Sequence, residues 1–199
     1  MPPAAPRPAA SVITLRRGGR HSDRGLEVLL LKRSESSSFM PGVWVFPGGA
    51  VDPDDGEGEA GYLACARREL AEESGLELTE GAELIAFSHW ITPEEVPIRF
   101  DTRFYLALAP AHAKPQADGV ETVEAAWWEP AAALESHAAG ELSLVFPTIK
   151  QLESLCGFAT SEEAIESSRD RAVDPILPKV VGKGSEQRIV LPGEPGYPE

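Results

Sequence analysis

Three glutamates, Glu69, Glu72 and Glu73, stand at positions i, i+3 and i+4. A helix through them puts all three carboxylates on one face. Like charges that close repel one another unless a cation sits among them, and clustered carboxylate oxygens are what a hard divalent ion takes. Magnesium and manganese usually keep several waters and bind substrate phosphate oxygens as well, so the trio points to phosphate chemistry. The same three acids also fit a solvated helix face, because the chain as a whole is acidic. Leu63, Ala66 and Leu70 form an adjoining apolar stripe that seats such a helix on a sheet. Gly75 follows the last acid and is a good helix stop. Upstream lies a loop with two adjacent glycines, Phe46-Pro47-Gly48-Gly49.

The run Arg68-Glu69-Leu70-Ala71-Glu72-Glu73-Ser74-Gly75-Leu76, behind Pro47-Gly48-Gly49, resembles the signature of the Nudix hydrolases over residues 47–76. That resemblance implies an enzyme cleaving a diphosphate linked to another moiety, with Mg2+ or Mn2+ as cofactor. It implies Glu69, Glu72, Glu73 and the carbonyl of Gly49 as metal ligands, with Arg68 pairing with and orienting a glutamate. A carboxylate on a later strand can serve as general base in the family, which makes Glu121 and Glu124 candidates beside Glu73. One departure stands out. The family pattern places 13 residues between the second glycine and the arginine, whereas residues 50–67, 18 in number, separate Gly49 from Arg68 here. Ala60 occupies the position of an upstream family glutamate, with Glu57 and Glu59 the nearest acids. Residues 52–56, Asp-Pro-Asp-Asp-Gly, are expected to form an enlarged surface loop.

A second resemblance covers residues 29–49. A Leu-Leu strand, Arg33-Ser34, Gly42 and Phe46-Pro47-Gly48-Gly49 are similar to the motif of coenzyme A diphosphatases within the Nudix family, with Leu31 and Ser38 departing from it. Residues 89–104 resemble the subgroup related to peroxisomal coenzyme A hydrolases. The resemblance implies coenzyme A or acyl-coenzyme A as substrate. ADP-ribose, another nucleotide sugar or a dinucleotide is the rival, because Ser38 stands where the motif has arginine. A non-catalytic Nudix ligand-sensing or binding module is the reading of another class. The retention of all three helix acids weighs against it. Arg33, at a strand end, is expected to meet a substrate phosphate, joined in substrate binding by Gly48, Gly49 and Arg103.

The elements that must position these residues follow from pattern. Strands are expected over 11–16, 26–33, 43–46, 82–90, 99–108 and 120–128, with helices around the acidic trio and over 131–138, 148–156 and 161–170. Ser161 is expected to cap the last helix, and Pro93 and Pro97 mark a loop over 91–97 that could fold over substrate. Strands interleaved with helices give an α/β class, and the resemblance makes it the Nudix fold, a mixed sheet between helical layers. Residues 1–10 read as a disordered leader, 11–146 as the Nudix domain, and 147–199 as helices and an extended arm packed on the domain or on a partner subunit in a homodimer. With 18 basic and 32 acidic residues the formal net charge is −14, which argues against nucleic acid or anionic membranes as partners and for a small nucleotide-type substrate. Two cysteines, Cys65 and Cys156, make no disulfide framework, and no apolar run is long enough to span a bilayer. A cytoplasmic setting is therefore expected. The four histidines show no zinc-binding spacing.

Overall fold

The computed structural model describes residues 3–18, 25–37, 40–184 and 187–198. His21 and Ser38, which figured in the expectations above, lie outside them. One mixed sheet dominates, with strands β1 (Arg7–Arg16), β2 (Glu27–Arg33), β3 (Trp44–Val45), β4 (Gly48–Ala50), β5 (Ile85–Ile91), β6 (Phe100–Leu108), β7 (Thr122–Trp128) and β8 (Pro175–Ile176). The order is β3-β2-β1-β6-β5-β8, with β4 pairing β1 and β7 pairing β2. β1 runs parallel to β6 and β5 parallel to β8, and the other pairings are antiparallel.

Both faces of this sheet are covered, which explains the continuous apolar run Leu29-Leu30-Leu31, fully buried throughout. Leu29, Leu31, Val12 and Tyr105 face helix α1 (Gly58–Ser74), where Cys65, Ala66 and Leu70 pack on them. Val28, Leu30, Ile13 and Leu106 face helices α2 (Pro130–Ala138), α3 (Phe146–Leu155) and α4 (Ser161–Ser168), contributing Ala133, Leu152, Leu155, Ala164 and Ile165. The strand period of two thus assigns alternate residues to two separate cores. The mixed sheet between helical layers is the α/β architecture expected. No helix among the described residues is long and apolar enough to cross a membrane.

Two expectations need correction. Strand β1 begins at Arg7, and Ala9 and Ala10 are buried in it, so part of the stretch read as a leader belongs to the sheet. Its backbone lies so close to Gly48 that a Cβ there would meet the Ala10 carbonyl and Ser11. The cap of α4 is Thr160, whose hydroxyl accepts from the Glu163 N–H at 3.1 Å, while Ser161 is the first helical residue. The loop following β5 is tied to the C-terminal arm, with Lys179 Nζ 2.7 Å from Glu94 Oε2 and Glu95 accepting from the Val180 N–H. The arm itself packs on its own domain. β8 extends the sheet beside β5, and β9 (Lys179–Val181) pairs with β10 (Arg188–Val190).

Candidate active site

The site is built where α1 crosses the glycine-rich β4. Pro47 is fixed first, its carbonyl accepting from the Ser11 hydroxyl at 2.8 Å and the Val12 N–H at 2.9 Å. The two glycines then lie against the helix with no room for side chains. A Cβ on Gly48 would come within 2.5 Å of the Ala10 carbonyl, and one on Gly49 would overlap the Glu69 carboxylate. Absence of side chains lets two acids meet the loop backbone. Glu73 Oε2 accepts from the Gly48 N–H at 3.0 Å, and Glu69 abuts Gly49.

Glu73 is only 4% exposed, and burial pushes its pKa up to about 8, with the nearby charges of Glu69 and Glu121 acting in the same direction. The Gly48 N–H and the Arg33 guanidinium oppose that rise. Burial likewise raises Glu69, whose side chain is 14% exposed. Glu72 is the outer member, its side chain 60% exposed. Arg68 joins them. Its Nη1 donates to Glu69 Oε1 at 2.8 Å and to Glu72 Oε2 at 3.0 Å, and its Nη2 reaches the Ala50 carbonyl at 3.3 Å. Among the described residues no three acid, histidine or cysteine side chains are already gathered into a metal cage. The donor chemistry nonetheless fits a hard divalent ion: carboxylates and a backbone carbonyl, all oxygen, with a buried acid whose charge one backbone N–H only partly offsets.

The C-terminal end of α1 is anchored by Thr122, whose hydroxyl donates to the Glu73 carbonyl at 3.0 Å. This brings Glu121 close enough for its charge to act on both Glu69 and Glu73. Glu124 is not brought in. By strand alternation it is in phase with Ala126 and Trp128, which pack into the core on the far side of the sheet, and the register shift that puts Thr122 opposite Arg33 comes only beyond it. Arg33 is held by its own neighbour, donating from Nη2 to Ser37 Oγ at 2.8 Å. Arg103 lies two strands across from Gly49, both paired with Ala10. Its guanidinium ion-pairs with Glu59 and stacks 4.1 Å from the Tyr62 ring centroid, and Tyr105 donates to Glu59 at 2.8 Å. Arg103 and Tyr105 share a strand face from which Phe100, of opposite parity, is excluded. Glu59 therefore serves this second cluster and not the trio. Cys65 is fully buried with its pKa pushed up to about 12, chiefly by burial, and its thiol points at the Gly49 and Ala50 carbonyls.

Sequence reasoning missed Asp55. It sits in a short 3-10 turn, Pro53–Asp55, inside the segment read as an enlarged surface loop, yet its side chain is only 6% exposed and grips Arg68 through both oxygens. The signal was the count from the loop: five residues, 50–54, separate Gly49 from Asp55, the spacing at which the family pattern has its upstream acid, so the inserted residues follow Asp55.

Comparison with known proteins agrees with this geometry. The NUDIX domain matches residues 5–146, well over half of the chain. The chain belongs to the Nudix hydrolase family. A Caenorhabditis elegans protein provisionally named nudix hydrolase 7 is 30% identical over 64% of this chain, which spans only 55% of that relative's length. The acyl-coenzyme A diphosphatase NUDT19 of Xenopus laevis is 24% identical over 87% of this chain and 72% of its own. Among solved structures, a NUDIX hydrolase from Alicyclobacillus acidocaldarius superposes with a TM-score of 0.73 at 27% identity, over 81% of this chain and 96% of that one.

Proposed function

We propose that this protein is a divalent-metal-dependent pyrophosphohydrolase that cleaves the diphosphate linkage of a nucleoside diphosphate derivative, with coenzyme A or acyl-coenzyme A as its substrate. The observation that carries this is the burial of Glu73 against the Gly48 N–H, with Glu69 pressed on Gly49 and Glu72 beside it. Glu69, Glu72, Glu73 and the Gly49 carbonyl would hold Mg2+ or Mn2+, which would supply Lewis acidity toward the phosphates and activate water. The protein's own share is positional. Arg68 holds Glu69 and Glu72 in register, Gly48 and Gly49 let Glu73 and Glu69 close on the loop backbone, and Arg33 provides a cation at the end of β2. Glu121, close enough to act on Glu69 and Glu73, is the candidate for taking a proton from the attacking water, with Glu73 beside it.

Support for the coenzyme A assignment comes from the motif over residues 29–49 and from the name of the Xenopus laevis relative, which is an acyl-coenzyme A diphosphatase. Because Ser38 stands where that motif has arginine, ADP-ribose is the counter-substrate. The test is a panel of coenzyme A, an acyl-coenzyme A and ADP-ribose with Mg2+ or Mn2+. Coenzyme A compounds should be cut to 3′,5′-ADP and a phosphopantetheine, with Glu72→Gln and Glu73→Gln slowed by about a hundredfold or more. Faster turnover of ADP-ribose would replace the substrate, and wild-type rates in both variants would remove the site.

A further inference from the structure

We infer that Asp118 is the positioning residue for Glu121, fixing the backbone from which that carboxylate reaches toward the helix acids. This rests on the function proposed above. One oxygen of Asp118 serves three consecutive residues: Oδ1 accepts the N–H groups of Val120 at 2.9 Å, Glu121 at 3.0 Å and Thr122 at 2.8 Å. Aspartate closes turns in this way, by bonding the backbone just ahead of it. The Gly119 N–H closes the turn a second time, donating to the Thr122 carbonyl at 2.8 Å, and Gly119 has a φ of +79° that other residues rarely adopt. Glu121 is held from its other side as well, its carbonyl accepting from the Ser34 N–H at 2.8 Å. Both backbone polar groups of the candidate base are therefore committed.

The same turn is tied to the helix that carries the three acids. The last carbonyls of a helix lack partners within it. Here the Gln116 N–H donates to the Ser74 carbonyl at 2.9 Å and the Thr122 hydroxyl to the Glu73 carbonyl at 3.0 Å, so residues 116–122 bridge two of them. Asp118 lies between these ties, its own N–H reaching the Thr122 hydroxyl at 3.3 Å. Glu121 is exposed, so its direction is set by its backbone more than by packing. Without the Asp118 carboxylate, three adjacent N–H groups turn to water and the turn is free to shift. The helix acids stay where the Gly48 N–H and Arg68 hold them.

The test compares wild type with Asp118→Ala, Asp118→Asn, Glu121→Gln and the double variant Asp118→Ala with Glu121→Gln, on the panel member that wild type cleaves fastest. For each, kcat, KM and the thermal midpoint are measured, with Mn2+ affinity read from the electron paramagnetic resonance signal of the free ion. Glu121→Gln should lose about a hundredfold or more in kcat. Asp118→Ala should lose about ten- to a hundredfold in kcat, the cost of a misplaced catalytic group, with KM and Mn2+ affinity at wild-type values. Asp118→Asn keeps an oxygen for the three N–H groups and should regain most of the rate. In the double variant, removing Asp118 should add nothing to the loss from Glu121→Gln, because both act through one group. Wild-type kcat in a folded Asp118→Ala, or a loss that multiplies with that of Glu121→Gln, overturns the inference and leaves the proposed function standing. Should Asp118→Ala not fold, Asp118→Glu decides: the charge is kept but displaced by a methylene, so a lowered kcat at unchanged Mn2+ affinity supports the role and a wild-type kcat overturns it. If Glu121→Gln itself works at the wild-type rate, the base assignment above fails and the role of Asp118 falls with it.

Discussion

Glu73 has an ordinary carboxyl pKa of 4.5 and a folded-state value near 8, so the two states of the protein hold its proton differently. Between those pH values the native protein keeps a proton that the unfolded chain releases, and stability falls where the native state binds more protons. The metal-free protein should therefore lose stability as pH rises from about 4.5 to about 8, by a few kcal/mol at most. Thermal midpoints in a chelator across that range should slope downward, Glu73→Gln should flatten the slope, and Mg2+ should restore most stability at the alkaline end. A slope of the opposite sign would mean that Glu73 is charged and satisfied without metal. The three helix acids and the glycine pair were legible from spacing because the helical repeat fixes which residues share a face. Alternation puts Glu121 and Glu124 on opposite faces without saying which one meets the helix, and an irregularity between them alters the facing beyond it.

At the level of elements, α1 carries a glycine at position 61 that helix propensity alone would replace. An alanine in a helix interior is ordinarily favoured by about 1 kcal/mol over glycine. Here the added carbon meets the Gly56 carbonyl, so Gly61→Ala should lower the thermal midpoint and, by lifting the turn that bears Asp55, lower activity too. A midpoint at or above that of wild type would show that the turn is not seated as described. Long, strongly patterned elements were readable from sequence: β2, β5, β6, β7 and all four helices lie where the periodicities put them. Two segments were not. Arg7-Pro8-Ala9-Ala10 lacks the branched and aromatic residues that mark a strand, and β4 is Gly-Gly-Ala, a composition that disfavours strands unless another backbone must come close. Both pair with each other, so each is explained only by a contact that sequence does not display.

For the whole molecule, the C-terminal arm matters as cover. Val190 is buried, Ile176 and Leu191 pack on the core shared with α2–α4, and β8 occupies the open side of β5. Deleting residues 171–199 removes this apolar cover, worth roughly 1.5–3 kcal/mol for each side chain fully buried, and frees a row of unpaired backbone groups on β5. The shortened protein should melt earlier and self-associate by light scattering; an unchanged midpoint and mass would show the arm to be dispensable. The parallel pairing of β1 with β6, from Arg7 with Phe100 to Leu15 with Leu108, has a consequence in time. A nascent chain emerges amino end first, so β1 waits for its main partner until residue 108 has left the ribosome. During that wait Val12, Ile13 and Leu15 are uncovered on the β6 side. Slower synthesis should lengthen that exposure, which added chaperone would shield.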